Sequence, residues 1–206
     1  MELHKGLPIH LFASKDEWLE WLDSNRSSSS GIWVKFAKKG SLTVSMTYEE
    51  AREGALRYGW IDGLINKWDD TCYSTRFTPR KPKSSWSKIN RDIAEDLIGR
   101  GLMEPSGLVH VRAAQEDGRW DAAYVGQSTI TVPEDFQAAL DKHPRAAQFF
   151  AGLDSANRYS FLYRIHTAVK PQTRSARIDK FIDMLSSGDV FHPKTSAKTV
   201  DSPERK

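Results

Sequence analysis

The spacing of apolar and polar positions changes along the chain, and the changes predict helices mixed with strands. Ser14 stands three residues before Glu17, and Thr47 three before Glu50. In each pair the hydroxyl can accept from the amide three residues on while the carboxylate reaches back, which is a capping box. Helices over about 15–24 and 48–58 follow. Between them, residues 31–37 are rich in β-branched and aromatic side chains and read as a strand. Asp62-Gly63 carries the signal of a tight turn, Asp69-Asp70 that of the next, and Thr71 to Thr78 that of a strand.

The period lengthens beyond Ser87. Ile89, Ile93, Ala94, Leu97 and Ile98 share one helical face, and Gly99 and Gly101 stop the run. Pro105 opens another helix that Gly118 closes, and residues 119–132 look irregular. Farther on, Pro133, Pro144 and Asp154 mark helix starts, Thr173 is a candidate cap, and Gly188 marks an end. The prediction is an α+β fold: a small antiparallel sheet with helices over 1–130, a helical module over 131–190, and a disordered tail over 191–206.

Composition narrows the function classes. A single cysteine, Cys72, excludes intrachain disulfides and Cys-rich metal sites. The six histidines are scattered, with no His-Glu-x-x-His, so no metal and no cofactor is expected. Neither a nucleophile elbow nor a phosphate loop is present, and no catalytic motif is recognised. No segment approaches the roughly 20 apolar residues of a membrane span, and the N-terminus lacks a signal-peptide core. A soluble cytoplasmic protein without membrane insertion is the expectation.

Charge changes the picture in one place. Residues 71–91 hold Arg76, Arg80, Lys81, Lys83, Lys88 and Arg91 and no acid, a local charge of +6 in a chain of net +3. Tyr73, Phe77 and Trp86 are interleaved, and Ser84, Ser85 and Ser87 lead into the predicted helix. Cations, ring faces and free helix-start amides together suit an anion. The candidate ligand set is Tyr73, Arg76, Arg80, Lys81, Ser84, Trp86, Ser87 and Asn90, with Asp62 as a polar partner and Thr173 with Arg174 as a secondary set. Asp62 reads equally as a turn residue, and the cations equally as a solvated loop. The partner expected is an anionic small molecule or an acidic partner; the short basic stretch permits nucleic acid, but a net charge of +3 does not demand it. An enzyme acting on a phosphorylated or nucleotide-like molecule, with Asp62 and the two arginines as its polar groups, is the alternative.

The segment from Tyr58-Gly59-Trp60-Ile61-Asp62-Gly63 through Arg76-Phe77-Thr78-Pro79-Arg80-Lys81 and Trp86-Ser87 resembles the YdeI/OmpD-associated, bacteriocin-protection family. Ala168-Val169-Lys170-Pro171-Gln172-Thr173-Arg174 is similar to that family's helical tail, and the likeness runs over about 8–190. Arg57-Tyr58 stands where the family often has Cys-Phe, and Gln172 where a Glu is common, which removes a carboxylate partner for Arg174. The resemblance implies a stress-resistance role, linked to protection against bacteriocins and cationic peptides and to porin expression. It brings no reaction or cofactor.

Overall fold

The computed structural model describes residues 2–193. The chain divides into two compact units, Met1–Val125 and Gly126–Lys206. Among the described residues no helix is long and apolar enough to cross a membrane.

The first unit holds β1 (Leu3–His4), β2 (Leu7–His10), α1 (Lys15–Asn25), β3 (Ile32–Ala37), α2 (Tyr48–Arg57), β4 (Trp60–Lys67), β5 (Cys72–Pro79), α3 (Lys88–Gly99) and α4 (Pro105–Glu116). Ser14 and Thr47 cap α1 and α2, and Thr47 completes its capping box with Glu50. The sheet runs in the order β1-β2-β3-β5-β4. It is mixed rather than antiparallel, because β2 pairs in parallel with β3 across the α1 crossover. The short strands β1 and β2, the latter carrying Pro8, show no alternation that would have announced them.

One face of the sheet buries Ile32, Val34, Phe36, Trp60 and Phe77 with Trp18, Leu22, Ala51 and Ala55 of α1 and α2. Trp18 Nε1 donates to Ala51 O at 3.0 Å and ties the two helices together. A second cluster gathers Leu56, Trp86, Ala94, Leu97, Val111, Ala114 and Trp120. Trp60 and Phe77 are thus buried in the first cluster and Trp86 in the second.

Asp62-Gly63 is not a turn. β4 runs through it, and the register jumps from Asp62↔Phe77 to Ile65↔Thr75, a β-bulge. Gly63 has no positive φ, so the conformational reason for an Asp-Gly turn does not arise there. The turn comes at Asp69, whose Oδ1 accepts from the amides of Thr71 and Cys72 at 2.7 Å each.

The second unit is helical over its described residues: α5 (Glu134–Asp141), α6 (Pro144–Ala151), α7 (Ser155–His166) and α8 (Pro171–Ser187). Phe136, Leu140, Phe150, Phe161, Leu162, Ile165, Phe181, Ile182 and Leu185 form its core. Asp154 caps α7, and Gly188, at φ 81°, ends α8 in the left-handed conformation that glycine adopts without strain. Thr173 does not cap α8. The cap position is Lys170, with no side-chain bond, and Pro171 opens the helix, where a missing N–H is harmless. Phe191 and His192 are docked against α7 instead of belonging to a disordered tail, while residues 194–206 lie outside the described residues.

Candidate functional site

Three different places receive the basic stretch. Side chains alternate across a strand, so Tyr73 and Phe77 of β5 face α1 and α2 while Arg76 faces away. Tyr73 stacks on Phe36 at 5.3 Å. Asp62, directly opposite Phe77, shares that helix-covered face and accepts from the Tyr48 hydroxyl at 2.5 Å. Arg76 sits across from Trp33 on the other face, beside Gly63, and its Nε is buried without a partner. Asp62 is thus no partner for Arg76. Arg76 lies apart from Asp62, whereas Asp62 is near enough to Arg80 for its charge to favour the guanidinium.

Arg80 occupies the third place. Leaving β5, its amide donates to Gly59 O at 2.9 Å, and its side chain turns inward to 3% exposure. The guanidinium carbon lies 3.7 Å from the centre of the Trp86 ring, and Nη1 donates to Ser85 O at 3.0 Å. Nε and Nη2 have no partner, nor does Trp86 Nε1. Among the described residues no carboxylate forms an ion pair with Arg80. Burial lowers its pKa to about 10, which still leaves it charged at neutral pH. A buried cation without a directly paired carboxylate is costly, so an anion reaching it gains more than it would at the surface.

Two neighbours escaped the sequence reading. Arg119 Nη1 donates to Ser84 O at 2.8 Å while its Nε bonds both oxygens of Asp117 at 2.8 Å. His110 of α4 has its pKa held below the ordinary value by burial first and then by the charges of Arg80 and Arg119. The irregular stretch 119–132 concealed this role. It is anchored by Trp120, whose ring meets Trp86 at 4.7 Å, and by Tyr124, whose backbone pairs with that of Trp86 and Lys88.

The start of α3 is less open than the serines suggest. Ser87 Oγ accepts from the Asn90 amide at 3.1 Å as an N-cap, and the Lys88 amide is taken by Tyr124 O at 2.7 Å. Asn90 is buried through its place in the first turn, Lys88 pairs with Asp92 at 2.7 Å, and Lys81 is exposed. Of the proposed ligand set, the fold brings Arg80 and Trp86 together, with Ser84 tied in through its carbonyl to Arg119.

The secondary set is engaged internally. Arg174 Nε and Nη2 bond Asp135 at 2.5 and 2.9 Å, and Nη1 donates to Ile165 O at 2.8 Å. Asp135 supplies the carboxylate that Gln172 cannot, and Arg174 holds its carboxyl below the usual range. Thr173 is exposed on the first turn of α8.

An α+β unit followed by a helical unit is the class that these observations define. Residues 129–188, which hold the helices of the second unit, match the family described as Bacteriocin-protection, YdeI or OmpD-Associated. Residues 10–110 match a different model, described as Domain of unknown function (DUF8412). The motif from Tyr58 to Asn90 lies within the second match, and the tail motif from Ala168 to Arg174 within the first. No curated protein and no solved structure matches the chain.

Proposed function

We propose that this is a cytoplasmic binding or regulatory protein of bacteriocin and cationic-peptide resistance, whose α+β unit holds a small oxyanion at Arg80. The reading treats the two units as separable modules, the first carrying the ligand and the second the family function. One observation carries it: a guanidinium 3% exposed, charged at neutral pH, stacked on Trp86 and left with two unpartnered nitrogens. Arg119 and His110 stand where a phosphate-like group would need further donors. The ligand class is an inorganic oxyanion or a phosphorylated small molecule; the dispersal of the other cations speaks against nucleic acid.

The test is calorimetric titration of phosphate, sulfate and simple nucleotides into wild type, Arg80→Met and Arg119→Ala. A ligand at 100 times its Kd should stabilise the wild type by about 2.7 kcal/mol, and both variants should lose that gain. Absence of binding to wild type, or binding to either variant as tight as to wild type, rejects the site.

A further inference from the structure

Asn157, Ser160, Phe161 and Arg164 lie at spacings that put them on one stripe of α7, and all four contact the same two residues of the chain. Asn157 grips the backbone of His192 from both ends of its amide. Its Nδ2 donates to His192 O at 3.1 Å, and its Oδ1 accepts from the His192 amide at 2.8 Å. Asp154 Oδ1 accepts from the same Nδ2 at 3.2 Å, which orients the amide. Ser160 Oγ meets His192 Nε2 at 2.9 Å. The Phe191 ring lies 4.8 Å from Phe161 and 5.6 Å from Phe181, and the Arg164 guanidinium covers it at 3.9 Å. Arg164 is itself tied to Ser160 O at 2.8 Å.

Side chains provide the whole anchorage. Beyond the Asp189 amide, which donates to Met184 O, no backbone–backbone hydrogen bond holds residues 190–193 among the described residues. A bidentate amide reading the backbone beside a slot for one aromatic ring is how an extended peptide is recognised: the main chain supplies affinity and the pocket supplies specificity. Phe191 is only half-buried where it packs against the module's core, and His192 is exposed. A groove of about 380 Å³, lined by Phe149, Leu153, Asn157, Val190 and His192 among others, continues beside the docked pair.

We infer that this stripe of α7 is a peptide-recognition cleft, occupied in cis by Phe191–His192, that takes an extended segment of a partner protein carrying an aromatic residue. The docked segment states the chemistry of the partner: an aromatic ring followed by a residue with a free backbone N–H and C=O. As an intramolecular competitor it acts at an effective concentration on the order of millimolar, so added peptide meets a mostly closed cleft. The inference is independent of the Arg80 site.

A labelled peptide copying residues 189–193, titrated into the full chain and followed by fluorescence anisotropy, tests it. Phe191→Ala should bind the peptide about tenfold more tightly than wild type, and adding Asn157→Ala should abolish the gain. Equal affinity for wild type and Phe191→Ala, or indifference to Asn157→Ala, overturns the inference. So does loss of the helical circular dichroism signal in Phe191→Ala, which would make Phe191 part of the core. Hydrogen exchange on wild type gives a check that needs no variant. The His192 amide should exchange about 100-fold faster than those in the middle of α7, and equal rates overturn the inference. A wild-type dimer that Phe191→Ala abolishes would assign the cleft to a second copy and reject the partner-protein assignment.

Discussion

In the α+β unit the buried guanidinium of Arg80 has one hydrogen-bond acceptor and no carboxylate, whereas in the helical unit Arg174 places three donors on Asp135 and Ile165. The contrast extends beyond these two residues. Every buried side-chain nitrogen or oxygen without a partner among the described residues falls between His4 and Arg91, and none falls in the helical unit. Native folds leave few such groups, so the ones that persist need an explanation. Packing is not the cause, since both units have closed aromatic cores. The difference teaches that, among the described residues, the helical unit pairs its buried side-chain donors internally while the α+β unit leaves several of its own unpaired.

The largest expected effect bears on the core beneath the incomplete site. Trp86→Ala should cost about 3–5 kcal/mol in urea denaturation followed by tryptophan fluorescence, with the helical unit's far-ultraviolet signal persisting beyond the first transition. A single shared transition would break the comparison by showing that the units are not energetically distinct. Arg80→Met should stabilise the protein by about 1–3 kcal/mol in anion-free buffer, since it replaces an uncompensated buried charge by an apolar side chain of similar length. Destabilisation by Arg80→Met would show that the Ser85 bond and the Trp86 stacking outweigh the desolvation.

Arg174→Ala should be felt less, at about 1 kcal/mol or below by thermal denaturation, because its Asp135 partner is 46% exposed and screened by water. The smallest effect is a pH dependence. His110 has a folded pKa below its ordinary value of 6.5, so the unfolded chain takes up the proton first as pH falls. Stability present above about pH 6.5 is therefore lost as pH drops toward the folded value. Urea midpoints at pH 7.5 and 5.5 should differ more for wild type than for His110→Gln, and an equal difference would detach His110 from the two arginines.

Local chemistry made much of the fold legible. Ser14, Thr47, Pro105, Pro144, Asp154 and Gly188 mark helix ends by interactions confined to a single turn, and the helices start or stop where those residues stand. Asp62-Gly63 misled because a β-bulge and a turn use the same residue pair, and only the partner strand distinguishes them. β2 was invisible because its parallel pairing with β3 depends on residues separated by a whole helix.

The candidate site was legible as composition and not as geometry. Six cations close in sequence suggested convergence, yet strand alternation sends Tyr73 and Arg76 to opposite faces, and helix pairing occupies Lys88. Arg80 and Trp86 are near enough in sequence to be suspected together. Arg119 and His110 reach them only through tertiary packing, and no spacing rule connects residues that far apart.

The bulge in β4 bears on how molecules of this protein meet one another. Among the described residues β4 pairs only with β5 and is an edge of the sheet, and it exposes Leu64 at 59% and Ile65 at 62%. A straight apolar edge of that kind is a template on which a second chain can add its own strand and begin a growing aggregate. The slipped register between Asp62 and Ile65 interrupts the row of outward amides and carbonyls where those two side chains stand. The same irregularity that looked like a turn in the sequence thus breaks the regular edge that an added strand would need in a crowded solution.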